Sequence, residues 1–260
     1  MKKTLLFVGY GSMAKAIACG IASSDLKTKY VIEIAGRDPK KAQNFIRENH
    51  LENIATIHSN NSLINVNEKI VMLCVKPYAL GNFQYQGNAS SVYSVMAGVD
   101  IATLKEHIHS NHYAKVMPNV GARYQKSSTA VCVQGDIKEE ASEILSSFGK
   151  AVFVDSEALV DASIATGGSS PAFLALIAQA LVDAGVREGI RREDALNLVR
   201  ATFDGFAHLL LEQTPDEIIS SITSPGGTTI EGLYVLEDKA VRGAIISACH
   251  EAVAKSKKKH

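Results

Sequence analysis

The chain has 260 residues, of which 46% are hydrophobic, so it is long enough to bury the core of one large domain or two modest ones. Its 27 lysines and arginines equal its 27 aspartates and glutamates, and this balance argues against a nucleic-acid or anionic-membrane partner. The four cysteines form no C-x-x-C pair, and no histidine lies at a matching metal-ligand spacing. This pattern indicates a reducing compartment and predicts no metal site.

The amino-terminal segment MKKTLLFVGYG has two lysines and then a short apolar run that ends at glycines. A signal peptide needs a longer apolar stretch, so the run predicts a buried strand. We find no stretch with the roughly 18 apolar residues that a membrane span needs. A cytoplasmic protein is therefore expected.

The first 156 residues alternate short apolar runs with helical patterns. The runs are rich in β-branched residues and bounded by Gly, Asn, Lys or Pro, which is typical of buried strands. We predict strands over 4–8, 31–35, 70–75, 92–96, 113–117, 129–133 and 151–154, and helices over 12–22, 39–49 and 137–148. Such alternation favours an α/β fold with a mostly parallel sheet covered on both faces.

Residues 157–260 carry helical patterns only. Helices are predicted over 171–188, 193–211, 216–222 and 228–255. Ser170 is the expected N-cap of the first, followed by Pro171 at the first helical position, and Gly189 is placed to end it in the left-handed conformation. The sequence therefore predicts two domains, 1–156 and 157–260.

A glycine-rich turn follows the first strand directly and opens a helix. It fits the G-x-G-x-x-G/A pattern and consists of Gly9, Tyr10, Gly11, Ser12, Met13 and Ala14. In this pattern the first glycine permits a tight turn, the second lets the backbone approach a pyrophosphate, and the small third residue allows close packing of helix on strand. The pyrophosphate is held by free N–H groups at the positive end of the helix. We therefore predict that 1–156 is a Rossmann-like dinucleotide-binding domain.

The end of the second predicted strand indicates which dinucleotide binds. NAD enzymes usually place Asp or Glu there for the ribose hydroxyls, whereas this strand is followed by Arg37, which suits the 2′-phosphate of NADPH. Lys41 is a candidate second cation. Glu33 within the strand and Asp38 beside Arg37 leave an acidic contact to ribose open. NADPH is the predicted cofactor, with NADH as the alternative.

Two further strand ends belong to the predicted cofactor site, because loops at the carboxyl ends of parallel strands line the ligand crevice. The strand over 70–75 leads into Val75, Lys76 and Pro77, which we expect to border the ribose and nicotinamide. The strand over 92–96 leads into Ala97 and Gly98, whose small size allows close approach.

These motifs together resemble the pyrroline-5-carboxylate reductase family over essentially the whole chain. The resemblance is carried by G-x-G-x-M-A, V-K-P, A-G-V, M-P-N, the stretch DAGVREG over 183–189 and, above all, SPGGTT over 224–229. The chain departs from the family pattern at Val120, Gly121, Ser170 and Phe173.

The resemblance implies that the helical part is a dimerisation and substrate domain and that the enzyme reduces pyrroline-5-carboxylate to proline. It also implies that Gly227, Thr228 and Thr229 bind the substrate carboxylate, with the Thr229 hydroxyl near the ring nitrogen as the catalytic group. Thr228 begins a T-x-x-E pattern, which predicts a capping box with Thr228 as N-cap. The implied assembly is a homodimer or larger homo-oligomer in which each site is built from both subunits.

Two alternatives remain. A β-hydroxyacid dehydrogenase also joins a dinucleotide domain to a helical one, but it needs a catalytic lysine on the helical half. The only lysine between Ser156 and Ala254 is Lys239, in the last predicted helix. The other alternative, a non-catalytic dinucleotide sensor, does not require the SPGGTT segment to be kept.

Overall fold

A computed structural model describes residues 2–58 and 63–257. The chain divides into two compact units, the first comprising Met1–Ser169 with Glu251–His260 and the second Ser170–His250. The predicted boundary lies earlier, between residues 156 and 157.

The strands all belong to the first unit. They are β1 Lys3–Val8, β2 Tyr30–Ala35, β3 Ala55–Ile57, β4 Leu63–Asn65, β5 Ile70–Leu73, β6 Gln84–Gln86, β7 Asn88–Ala89, β8 Ser91–Ser94, β9 His109–Ser110, β10 Tyr113–Met117, β11 Ser127–Gln134 and β12 Gly149–Phe153. All seven predicted strands are present. The strands that were not predicted are short, and β3 has only three residues.

Eight strands form the main sheet in the order β12-β11-β10-β8-β5-β1-β2-β3. All neighbours are parallel except β10 and β11, which are antiparallel. The central strands are buried throughout because both faces are covered: β5 and β8 have no exposed residue. One apolar cluster gathers around Phe7 and Ile17 and another around Val71 and Leu104. The predicted mostly parallel, doubly covered sheet is confirmed.

Ten α-helices accompany the strands in the described part of the chain. They are α1 Ser12–Ala22, α2 Pro39–Glu48, α3 Ile101–His107, α4 Lys138–Ser146, α5 Glu157–Ala162, α6 Ser170–Arg187, α7 Arg192–Glu212, α8 Pro215–Ile222, α9 Thr228–Asp238 and α10 Val241–Lys257. The all-helical second half is confirmed, and Gly189 ends α6 with a φ of +94°, in the left-handed region.

The predicted single helix over 228–255 is two helices. The break lies at Lys239 and Ala240, where Ala240 has a φ of +50°. No glycine or proline marks this position, so local sequence rules do not show it.

Helix α5 explains why the compact units divide after Ser169. The Lys115 ammonium, which is 2% exposed on β10, pairs with the Asp161 carboxylate of α5 at 2.8 Å. The Glu157 carboxylate of α5 accepts a hydrogen bond from the Ile101 N–H at the start of α3, at 2.8 Å. The buried side chain of Val160 joins a small apolar cluster with Met117. These contacts make α5 part of the sheet's own unit.

Helices α5 and α6 are joined by a π-turn over Ile164–Gly168 into one continuous helix, Glu157–Arg187. Ser170 therefore lies inside a helix, and its predicted role as N-cap is wrong. Pro171 has no N–H to donate to the Gly167 carbonyl four residues earlier. The Asn119 side-chain amide donates to that carbonyl instead, at 3.2 Å. The carbonyl that proline leaves free is thus satisfied from the sheet side.

By length and composition alone, the helix Glu157–Arg187 is apolar enough to cross a membrane, and only 6% of its most apolar window is buried. The expectation that no stretch meets these criteria is therefore wrong. Exposed apolar side chains continue along the second unit, as at Leu176, Leu211 and Tyr234, each more than 70% exposed. This surface needs a cover that the single chain does not provide.

Candidate functional site

The glycine-rich turn is built at the carboxyl ends of β1, β2 and β5. The Gly9 N–H donates to the Ala35 carbonyl at 2.8 Å, which ties the turn to β2. Gly9 has a φ of +106°, and a Cβ there would lie 2.8 Å from the Cys74 carbonyl oxygen. Only glycine fits this position, because both the backbone conformation and the space exclude a side chain.

Gly11 is the N-cap of α1, with extended backbone and no side-chain cap. A Cβ built at Gly11 meets nothing within 4 Å, so the space in front of the helix is open. Ala14 is fully buried under the turn, and Met13 packs against the same cluster. The arrangement leaves the first N–H groups of α1 facing open space, which is the geometry that binds phosphate at helix starts.

Two clefts flank this turn. The first, which we name the arginine cleft, has a volume of about 230 Å³. Its lining includes Gly9, Tyr10, Gly11, Arg37, Val75 and Lys76. The second, the lysine groove, has a volume of about 450 Å³ and includes Ser12, Lys15 and Lys41. The structure thus gathers most of the predicted cofactor residues around one turn. Each of the two clefts has two basic residues in its lining.

The acidic residues near the end of β2 are already engaged. The Glu33 carboxylate accepts hydrogen bonds from the Lys69 ammonium at 2.6 Å and from His58 Nδ1 at 3.0 Å. Partial burial by itself raises the pKa of Glu33. The two hydrogen bonds together lower it by a larger amount, so the pKa lies below its ordinary value. Asp38 caps α2 by accepting from the N–H groups of Lys40 and Lys41. Arg37, in contrast, is exposed at the cleft.

Five predicted cofactor residues lie outside the linings of both clefts: Met13 and Ala14, which pack under the glycine turn, and Pro77, Ala97 and Gly98. Pro77 begins a 3-10 turn over Pro77–Asn82. Ala97 packs against the apolar cluster of Met117, Val160 and Ile164. Gly98 has a φ of +73°, and a Cβ there would lie 2.6 Å from the Ser256 carbonyl oxygen. The close approach predicted at Gly98 is therefore made by the chain's own carboxyl-terminal helix.

The arginine cleft also has lining residues that the sequence did not predict. Tyr78, Ala79 and Phe83 belong to the 3-10 turn and the residue after it. These residues could have been predicted from their position, because they directly follow Lys76 and Pro77 at the end of a strand that borders the cleft. In the lysine groove, Lys15 lies one helical turn after Gly11, and Asn44 lies one helical turn after Lys41.

In the second unit, the segment Gly227–Thr229 forms the start of α9. The N-cap is Gly227, with no side-chain cap, and Thr228 is the first helical residue. The predicted capping box is wrong, because the helix begins one residue earlier than the T-x-x-E pattern indicates. Both threonines are exposed, and within the described residues their hydroxyls have no hydrogen-bond partner. The helix start is left uncapped and open.

Among the residues that the structure describes, no group of three or more His, Cys, Asp or Glu side chains is placed to hold a metal ion. Lys239, the lysine that a β-hydroxyacid dehydrogenase would need, is exposed at the break after α9 and pairs with Asp238. The first unit thus offers the clefts around the glycine turn, and the second unit offers the open start of α9.

The doubly covered sheet, the glycine turn and its cationic clefts define an NAD(P)-dependent oxidoreductase with an added helical domain. Comparison with known proteins makes the assignment specific. Residues 157–259 match the family model for pyrroline-5-carboxylate reductase dimerisation, and residues 4–98 match that for NADP oxidoreductase, coenzyme F420-dependent. The chain belongs to the pyrroline-5-carboxylate reductase family.

Relatives and solved structures agree over nearly full length. The pyrroline-5-carboxylate reductase of Helicobacter pylori strain J99 is 48% identical over 96% of this chain and 98% of its own. That of Synechocystis is 33% identical over 98% of both chains. The Streptococcus pyogenes enzyme has a TM-score of 0.84 at 26% identity, covering 98% of both chains. The Plasmodium falciparum enzyme, solved with NADP bound, has a TM-score of 0.79 at 26% identity, again covering 98% of both.

Proposed function

We propose that this protein reduces 1-pyrroline-5-carboxylate to L-proline with NADPH, the final step of proline biosynthesis, as a cytoplasmic homodimer or larger homo-oligomer. The observation that carries the proposal is the open start of α9 at Gly227–Thr229. Its N-cap has no side chain to satisfy the first N–H groups, so these donors remain for an anion. A substrate carboxylate is the anion that the family chemistry provides.

The dinucleotide fits the first unit. Gly9 and Gly11 leave the space that a pyrophosphate needs, and Arg37 is the exposed cation where the 2′ position is read, while Glu33 and Asp38 are engaged elsewhere. NADPH is favoured over NADH for that reason. We assign cofactor contacts to Gly9, Tyr10, Gly11, Ser12, Met13, Ala14, Arg37, Val75, Lys76, Pro77, Ala97 and Gly98.

When bound, the nicotinamide supplies the hydride for the imine carbon. The chain's own task is to hold the substrate and keep its nitrogen protonated. The N–H groups of Thr228 and Thr229 hold the carboxylate, and the Thr229 hydroxyl stabilises or relays the proton at the ring nitrogen. A protonated imine is already an activated acceptor, so orientation supplies much of the rate acceleration.

The central test follows NADPH absorbance with purified protein and pyrroline-5-carboxylate, and measures proline in the same sample. We expect stoichiometric NADPH oxidation and proline release. Tight NADPH binding with no turnover at high enzyme concentration would favour the dinucleotide sensor instead. Turnover of a β-hydroxyacid with NADP⁺ would favour the dehydrogenase.

Cofactor choice is tested with Arg37→Ala. A charge-assisted hydrogen bond contributes about 1.5–3 kcal/mol, so the variant should bind NADPH at least tenfold more weakly. NADH binding should change little. Equal weakening of both cofactors would show that Arg37 does not contact the 2′-phosphate.

We further propose that residues 1–156 and 157–260 are the functional domains and that Gly11 of one subunit and Thr229 of its partner serve one site. The variants Gly11→Asp and Thr229→Trp should each be inactive alone. Co-refolded at equal amounts, half of the dimers are mixed and each regains one intact site, so activity should recover to about a quarter of wild type. Mixed dimers without activity would contradict shared sites.

A further inference from the structure

Tyr10 links the glycine turn to the loop that carries Arg37. It is the first variable residue of the G-x-G motif, and its side chain lines both the arginine cleft and the lysine groove. Strands β1 and β2 are parallel neighbours in which Val8 is paired with Ala35. The residues that follow these strands therefore run side by side at one edge of the sheet, which places Tyr10 next to the Gly36–Asp38 loop.

The contact between Tyr10 and this loop is close and built in. A Cβ at Gly36 would lie 2.2 Å from the Tyr10 ring, so the ring can occupy its position only because residue 36 is glycine. The Tyr10 hydroxyl accepts a hydrogen bond from the Asp38 N–H at 3.3 Å. The phenol oxygen is thus held at the backbone of the residue that follows Arg37.

The hydroxyl keeps its own hydrogen for another partner. A phenol can accept one hydrogen bond and donate a second, and within the described residues no acceptor is present for the Tyr10 O–H. Within the described residues, neither acidic side chain near the end of β2 accepts from this hydroxyl: Asp38 accepts from the N–H groups of Lys40 and Lys41, and Glu33 accepts from Lys69 and His58. Among residues 2–58 and 63–257, this donor at the end of β2 therefore has no acceptor, and the exposed Arg37 lines the same cleft.

We infer that the Tyr10 hydroxyl is a second reader of the 2′-phosphate and, with Arg37, determines the preference for NADPH over NADH. In this arrangement the O–H donates to a phosphate oxygen while the Asp38 N–H fixes the hydroxyl in place. The inference rests on the proposed function, because it requires a dinucleotide in the arginine cleft. It assigns Tyr10 to the 2′ position rather than to the pyrophosphate, although its sequence position lies within the pyrophosphate motif.

The test is equilibrium titration of NADPH and NADH into purified protein, followed by cofactor fluorescence, for wild type and Tyr10→Phe. Phenylalanine keeps the ring over Gly36 and removes only the hydroxyl. We expect NADPH to bind roughly tenfold more weakly to Tyr10→Phe, with less than a twofold change for NADH. The matched control is Tyr78→Phe, which removes another hydroxyl from the same cleft and should leave the ratio of the two dissociation constants as in wild type.

A second variant reaches the same hydroxyl from the other side. Gly36→Ala must displace the Tyr10 ring, so it should also weaken NADPH selectively. Adding Tyr10→Phe to Gly36→Ala should then cause little further loss, because the hydroxyl is already out of place. Melting temperatures of all variants establish that each is folded at the temperature of titration.

The outcomes separate the two proposals. Equal weakening of NADPH and NADH by Tyr10→Phe, or no change in either, would overturn the inference and leave the proposed function standing. Selective loss in Tyr78→Phe of the same size would also overturn it. A wild-type protein that binds neither dinucleotide would refute both.

Discussion

The two compact units bury apolar surface in very different ways. The first closes a sheet between two layers and leaves residues such as Leu5, Phe7 and Met72 with no exposure. In the second, the described hydrophobic residues that are buried are Val182, Ala195 and Ile218, and helices α9 and α10 have none within that unit. Yet each of its helices, α6 to α10, has large exposed apolar side chains, such as Leu176, Leu211, Ile222, Tyr234 and Ile246.

This contrast shows where each half obtains its stability. A unit with its own core can fold alone, whereas a set of helices apolar on several faces needs a cover. Residues 157–259 match a dimerisation family model, which indicates that a second copy of the chain packs against these helices. The same contrast explains why the helix Glu157–Arg187 meets the length and composition of a membrane span.

The largest expected effect comes from placing a charge on the uncovered surface. Leu176 is 71% exposed in the single chain, and we expect Leu176→Asp to abolish assembly. A covered leucine contributes about 1.5–3 kcal/mol, and an unpaired carboxylate buried in its place costs several kcal/mol more. Sedimentation at micromolar concentration should show a monomer, with NADPH oxidation lost.

The matched control for this variant is Ser146→Asp, which adds the same charge to an exposed position of α4 in the first unit. It should leave both assembly and activity as in wild type. An oligomeric, active Leu176→Asp protein would show that this face is not an interface. A wild-type protein that is extracted only with detergent would instead indicate that the helix Glu157–Arg187 crosses a membrane.

A smaller effect is expected within the first unit, at the buried pair of Lys115 and Asp161. Lys115→Ala leaves the Asp161 carboxylate without its partner, which typically costs about 3–5 kcal/mol of unfolding free energy. The melting temperature should fall by about 10 °C. The double variant Lys115→Met/Asp161→Leu removes both charges and should recover most of the loss. No recovery would mean that the ion pair itself, and not the stranded carboxylate, sets the cost.

The sheet could be predicted because its strands are short β-branched runs that depend on local composition. The break at Ala240 and the π-turn before Pro171 could not, since neither has a local signal that outweighs a continuous helical pattern. That α5 packs with the first unit could not be predicted for another reason. Its Asp161 pairs with Lys115, which is 46 residues away in sequence.

The candidate site shows the same division. The glycine turn and Arg37 follow from motif and strand order, and the structure gathers them in one cleft. The engagement of Glu33 depends on His58 and Lys69, 25 and 36 residues away, so the sequence left an acidic ribose contact open. The close approach of Ser256 to Gly98 could not be predicted, because the two residues are far apart in the chain; the cofactor contact at Gly98 stays a prediction.

At the open start of α9, Thr229→Ala should affect chemistry more than folding. The hydroxyl makes no hydrogen bond within the described residues, and the N-cap is Gly227, so no cap is lost. We expect kcat to fall at least tenfold, as for loss of a group that acts on a proton, with the melting temperature nearly unchanged. Thr228→Ala, which keeps its N–H and loses the neighbouring hydroxyl, should have a much smaller effect. Wild-type kinetics in Thr229→Ala would refute the role of the hydroxyl.

The smallest expected effect concerns Glu33, whose role we take to be structural. Its pKa in the folded protein lies below the ordinary value, because the hydrogen bonds from Lys69 and His58 outweigh the effect of partial burial. A carboxylate with a lowered pKa stabilises the fold above its unfolded pKa, and this contribution is lost as the pH falls through the folded value. Glu33→Gln should therefore melt at a lower temperature than wild type at pH 7, and the two curves should converge under acidic conditions.

The same variant separates a structural role for Glu33 from a binding role. If the carboxylate only joins β2 to Lys69 and His58, the ratio of the NADPH and NADH dissociation constants in Glu33→Gln should match that of wild type. A selective loss of NADH binding would instead place the carboxylate on the ribose hydroxyls. That result would weaken the assignment of NADPH, because Arg37 would then share the end of β2 with an acidic ribose ligand.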